Sequence, residues 1–148
     1  MTELDAFDNY ALEYDKWFEN HAVEYALELQ AIRESLPQEG NGIEIGAGTG
    51  RFTQPLGISL GVEPSAAMRS LALRRGANVI AGTAESLPVE DGAYDFALLG
   101  TVDCFFGAPE SAFREVNRAL IATGYGMVGL IDKDIKSGKK YDKTKSER

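Results

Sequence analysis

Glu44-Ile45-Gly46-Ala47-Gly48-Thr49-Gly50 and, a little further on, Gly61-Val62-Glu63-Pro64-Ser65 decide the fold of this 148-residue chain. Gly42-Ile43-Glu44-Ile45 is a short, mostly apolar run of the kind that forms a buried parallel strand. Three glycines at alternate positions let the backbone turn sharply with no side chain above it, so a flat ligand can lie against main chain. Glu63, seventeen residues after Gly46, ends the run Ile58-Ser59-Leu60-Gly61-Val62. A doubly wound sheet presents an acid at that place to the two hydroxyls of a ribose, and one carboxylate accepts both hydrogen bonds. The pattern predicts a nucleoside-binding site. A pyrophosphate-binding G-x-G-x-x-G fingerprint would put its third glycine at position 51, which is Arg51, so the spacing argues against NAD and a dehydrogenase.

Working outward, strands and helices alternate. Tyr25, Ala26, Leu29, Ile32 and Leu36 repeat at helical spacing from Ala22, and Pro37 and Gly40 stop that helix. Only a short helical turn fits around Phe52 to Leu56. Ser65 is a candidate N-cap for a helix over Ala66 to Arg75, with Gly76 as its left-handed stop. Ala77 to Ala81 reads as a third strand and Tyr94 to Leu99 as a fourth. Pro109 opens a helix whose buried stripe is predicted as Phe113, Val116 and Leu120, and Tyr125 to Ile131 supplies a fifth strand. Such alternation implies an α/β fold, a three-layer Rossmann-like doubly wound sheet, mostly parallel, of about five strands. The expected organisation is a helical lid or cap over residues 1–40, a ligand-binding core over 41–132 and a basic polar tail over 133–148.

Composition narrows the function. With 44% hydrophobic residues the chain suits one globular domain. No stretch suits a bilayer span, and Met1-Thr2-Glu3-Leu4-Asp5 lacks the basic, apolar start of a signal peptide, so a cytoplasmic protein without membrane contact is expected. One cysteine and one histidine cannot build a Cys/His metal site. The net charge of −8 speaks against sequence-independent binding to nucleic acid, although residues 132–148 carry seven Lys/Arg against four Asp/Glu.

The pattern acidic-x-Gly-x-Gly-x-Gly with an acid ending the next strand resembles the class I S-adenosylmethionine-dependent methyltransferases. Gly82-Thr83-Ala84-Glu85-Ser86-Leu87-Pro88 looks like that family's adenine-side loop, Ala93 to Gly100 like its fourth strand, and Phe113 to Leu120 like the helix before its fifth. Phe7-Asp8-Asn9-Tyr10, Tyr14-Asp15 and Trp17-Phe18 are similar to the N-terminal segment of small-molecule members related to the quinone and sterol enzymes. Together these motifs cover roughly residues 5 to 132. Complete members continue through another helix and an antiparallel strand pair, whereas Asp132 to Arg148 has little β pattern. An incomplete sheet is therefore expected, with an apolar edge beside the fifth or fourth strand for the N-terminal segment, the tail or a second copy of the chain to cover.

The resemblance implies S-adenosyl-L-methionine as cofactor and a small-molecule methyl acceptor, with in-line displacement at the methyl group. It places Gly46, Ala47, Gly48 and Gly50 against the methionine and ribose part, Glu44 near the α-amino group, and Glu63 on the ribose hydroxyls. Pro64 and Met68 would pack near the adenine, with Thr83, Ala84 and Glu85 at its edge. Gly100 and Thr101 would stand near the sulfonium and the acceptor, and Tyr14 and Trp17 would form a lid that excludes water and faces the cation with π density. No general base is assigned, since one is needed only when the acceptor must lose a proton. Tyr14, Trp17 and Phe18 read equally as the core of an N-terminal helix, Met68 as core, and Glu85, Asp103, Cys104 and His21 as ordinary surface or structural residues. The alternative function is a truncated module that holds the cofactor without transferring its methyl.

Overall fold

The computed structural model describes residues 3–100 and 109–129, with side chains over 11–99 and 110–128. Two helices lead, α1 (Glu3–Asn20) and α2 (Ala22–Ser35). Strands β1 (Gly42–Ile45) and β2 (Leu60–Val62), helix α3 (Ala66–Arg75), strands β3 (Val79–Ile80) and β4 (Tyr94–Gly100), helix α4 (Pro109–Ala119) and strand β5 (Leu120–Gly129) follow. The five strands form one sheet in the order β3-β2-β1-β4-β5, and every pairing within it is parallel. The order reverses between β1 and β4, which makes the carboxyl ends of these strands the switch point where open α/β sheets bind ligands.

Side-chain alternation decides what each face holds. Ile43 and Ile45 of β1, Leu60 and Val62 of β2 and Ala97 and Leu99 of β4 share one face, packed with Ala112, Val116 and Ala119 of α4. Phe96 and Leu98 turn to the other face, joining Met127, Phe52, Phe18 of α1 and Ile32 of α2. A smaller group of Ala47, Ala72, Ala77 and Val79 seats α3 beside β3. Helices on both faces explain why the strand sequences are apolar almost throughout. Glu44 interrupts that rule.

Local signals set most boundaries. The Ser65 side chain caps α3 by accepting from the Met68 N–H, and Gly76 ends it at φ +92°. Two expectations need correction. Phe113 is 49% exposed, and Ala112, Val116 and Ala119 face the sheet instead. The helix is so short of bulky apolar residues that small alanines, rather than its one aromatic, allow close approach to the strands. Leu120 already belongs to β5, not to the helix, and pairs with Tyr94, whereas Phe96 pairs with Tyr125. The residues between Leu120 and Tyr125 form an irregularity in the ladder, so regular pairing does start at the predicted Tyr125. Thr101, Asp103, Cys104 and the basic tail lie outside the described residues.

Candidate functional site

The glycine turn leaves β1 directly above the switch point. Gly46, Gly48 and Gly50 all have positive φ, at +76°, +58° and +79°, a conformation open to glycine and strained for other residues. The N–H groups of Gly46 and Ala47 both donate to the carbonyl of Val62, at 2.9 and 3.1 Å, so the turn is sewn to the end of β2. Close packing adds a second demand at Gly50, where a Cβ would stand 2.9 Å from Ala77 Cβ and 3.2 Å from Ala72 Cβ.

Glu63 follows β2 and is 2% exposed. Its Oε1 accepts from Gly48 N at 3.0 Å and its Oε2 from Ser65 N at 2.8 Å, so one carboxylate joins the glycine turn to the start of α3. A carboxylate accepts about four hydrogen bonds, so anchoring to main chain and recognition of a diol are chemically compatible. Arg69 Nη1 donates to the carbonyls of Glu63 and Pro64, at 2.9 and 2.8 Å, and fixes that corner. Met68 is buried on the inner side of α3, and Pro64 is half-buried.

Glu44 sits on the opposite side of β1 from Ile43 and Ile45 and is 1% exposed. Thr53 Oγ1 donates to its Oε1. Burial pushes its carboxyl up, Thr53 draws it down, and the nearby Glu63 carboxylate pushes it up again, to about 8. At neutral pH Glu44 therefore holds its proton.

Turn 82–88 lies beside the same end of the sheet. Thr83 and Ser86 form an isolated antiparallel bridge, Ala84 is buried, and Glu85 is half-buried. A Cβ at Gly82 would stand 2.8 Å from Val62 Cγ1 and from Pro88 Cδ, which shows how tightly this turn packs on β2. Its far end is held by α4, where Glu115 Oε1 accepts from Leu87 N at 3.1 Å and Arg118 donates to the carbonyls of Leu87 and Val89. Sequence reading passed over that clamp, although Glu115 and Arg118 are three apart on a helix and form an ion pair.

Helix α1 crosses the glycine turn. The nearest atoms to a Cβ placed on Gly48 are those of the Tyr14 ring, at 3.4 Å, so Tyr14 lies against the turn while it also packs on the cluster around Phe18 and Phe52. Trp17 stacks instead on His21, with ring centroids 4.3 Å apart, and meets Phe18 edge-on. His21 Nδ1 is 2.8 Å from the Trp17 carbonyl, which gives the histidine a place in the elbow between α1 and α2. Gly100 ends β4 opposite Gly129.

Asp15, next to Tyr14, is the main residue that sequence reading missed. It accepts from Thr49 Oγ1 at 2.6 Å, from Arg51 Nε at 2.8 Å and from Arg75 Nη2 at 2.9 and 3.0 Å. Burial raises its pKa, but the hydrogen bonds from Arg51 and Thr49 and the charges of Arg75 and Arg51 outweigh this and hold it below the usual value. Arg51 also lies over the rings of Phe18 and Tyr25, and Tyr25 donates to the Arg51 carbonyl. No local pattern could reveal these contacts, because the partners are 34 to 60 residues apart.

A parallel sheet, a bare glycine turn at its switch point and a buried acid ending the next strand together define a nucleoside-binding α/β domain. Comparison narrows this. Residues 43–128 match the methyltransferase domain family model. An uncharacterized protein of Methanocaldococcus jannaschii is 40% identical over 144 residues, which is 97% of this chain and 70% of that protein. The crystal structure of a Thermotoga maritima S-adenosylmethionine-dependent methyltransferase, described as a possible histamine N-methyltransferase, superposes with a TM-score of 0.81 at 48% identity, over 86% of this chain and 61% of that one. A TehB-like methyltransferase of Corynebacterium glutamicum shares the fold, with a TM-score of 0.70 at 20% identity over 84% of this chain and 74% of that one. The chain belongs to the class I S-adenosylmethionine-dependent methyltransferase family. It spans less than two thirds of the Thermotoga chain's length.

Proposed function

We propose that this chain binds S-adenosylmethionine at the glycine turn and transfers its methyl group to a small-molecule acceptor. The observation that carries the reading is Glu63, buried at the end of β2 and bonded through Oε1 to Gly48 N across the turn. That arrangement fits adenosyl recognition, because a fixed carboxylate stands beside glycines that add no side chain of their own to the space a ribose diol would take. S-adenosylmethionine supplies a methyl group made electrophilic by its sulfonium.

The chain's own task is alignment and the exclusion of water. Holding the acceptor in line with the methyl–sulfur bond is worth about 7–11 kcal/mol of the barrier. Glu63 takes the ribose hydroxyls, Thr83, Ala84 and Glu85 frame the adenine, and Pro64 and Met68 support it. The Gly46 to Gly50 main chain lies along the ribose and methionine part. Glu44, neutral at pH 7, stands beneath as a polar floor whose proton adjusts to the charge above it. Tyr14 covers the turn and offers a ring face to a cation. Gly100, which ends β4, stands on the acceptor side; Thr101, outside the described residues, is assigned there by the family resemblance alone. A nitrogen acceptor, amine or imidazole, is the first to try, since the Thermotoga relative at 48% identity is described as a possible histamine N-methyltransferase. The test is transfer of a labelled methyl group to a panel of amines, imidazoles, phenols and carboxylates. Transfer to one acceptor class, reduced in Glu63→Ala, is the expected result; tight cofactor binding without transfer to any acceptor would limit the chain to a binding module.

A further inference from the structure

Asp15 ties α1 both to the glycine turn and to α3. Its carboxylate takes Thr49 Oγ1 and Arg51 Nε, which stand on either side of Gly50, and its carbonyl takes Arg51 Nη2 at 3.0 Å. It also takes Arg75 from the last turn of α3, at 2.9 and 3.0 Å. Asp15 and its two arginines are mostly shielded from water, with side-chain exposures of 16%, 15% and 20%. The residue before it, Tyr14, is the one that meets Gly48.

This convergence has a physical consequence. A glycine-rich turn loses more backbone freedom on ordering than any other sequence, so something must hold it in the bound shape before the ligand arrives. Glu63 holds one side of the turn through Gly48 N. Asp15 holds the other side and brings the Tyr14 ring with it. We propose that Asp15 is a positioning residue: it docks α1 on the glycine turn, and cofactor affinity and the release of the demethylated product depend on that dock.

The inference rests on the binding reading given above, so the experiment has two arms. Trp17, the chain's one tryptophan, reports on α1 without any ligand. In Asp15→Asn, which keeps shape and removes charge, Trp17 emission is expected to shift to longer wavelength and α1 amides to exchange faster, with the sheet amides unchanged. In calorimetry the same variant is expected to bind S-adenosylmethionine and S-adenosylhomocysteine at least about tenfold more weakly, as expected on losing charge-assisted hydrogen bonds. Arg75→Ala is expected to weaken binding in the same direction, and the double variant to lose less than the two single effects combined. Glu13→Gln, an exposed change on the same helix, serves as the control with wild-type affinity.

Unchanged Trp17 emission and exchange in Asp15→Asn would overturn the dock. Changed emission with wild-type affinity would overturn its link to the cofactor. Wild-type protein that binds neither compound would reject the cofactor reading itself, and the affinity link with it, while the emission arm would still decide the dock.

Discussion

At Glu63 the chemistry of the site is concentrated in two oxygens, each already directed by a main-chain N–H. Glu63→Ala is expected to weaken S-adenosylmethionine binding by about 10- to 100-fold, since hydrogen bonds to a charged group are worth about 1.5–3 kcal/mol. Calorimetry checks this, and unchanged affinity would reject the ribose role. Gly50→Ala tests the turn. Its φ of +79° and the crowding from Ala77 and Ala72 lead us to expect a loss of about 1–3 kcal/mol in denaturant unfolding. Gly57→Ala, at φ +63° but with no atom within 4 Å of the new Cβ, should cost no more than about 1–2 kcal/mol. Equal losses would mean that backbone strain alone, and not packing, reserves Gly50. The position of Glu63, buried at the end of β2, was legible from its place after an apolar run. The protonated state of Glu44 was not, because it depends on burial beside Glu63, which only the folded chain creates.

The elements that carried their own punctuation were read correctly from sequence. Ser65 and Gly76 bracket α3 because a hydroxyl cap and a left-handed glycine act locally, so Ser65→Ala is expected to lower stability by about 1 kcal/mol in a denaturant titration. β1 and the glycine turn were legible for the same reason. α4 was misread at Phe113, where helical periodicity allowed two stripes and only the sheet's demand for small side chains chose between them. α1 was recognisable as a helix from its aromatic residues, of which Tyr14 meets Gly48 and Trp17 stacks on His21. Which of its residues grips the turn was hidden, since Asp15, Thr49, Arg51 and Arg75 meet only in three dimensions.

Across the whole molecule, stability depends on pH through a few buried or half-buried carboxyls. Glu44 in the folded chain keeps its proton to about pH 8, whereas unfolding returns it to an ordinary value near 4.5. Between these limits the unfolded chain binds fewer protons than the folded one, so this residue makes stability fall as pH rises from about 4.5 to 8. Asp15 acts in the opposite sense, contributing stability above the usual aspartate range and losing it as pH falls through its lowered value. Glu44→Gln should therefore flatten the decline in melting temperature between pH 5 and 8; an undiminished decline would place that proton elsewhere. Cofactor binding should add stability by mass action, about 2.7 kcal/mol at a ligand concentration 100 times the Kd. The most direct measurement is titration calorimetry of the folded chain with S-adenosylmethionine and with S-adenosylhomocysteine. The glycine turn and Glu63 predict one site per chain for each compound, weakened in Glu63→Ala, whereas folded wild-type protein that binds neither would contradict the account.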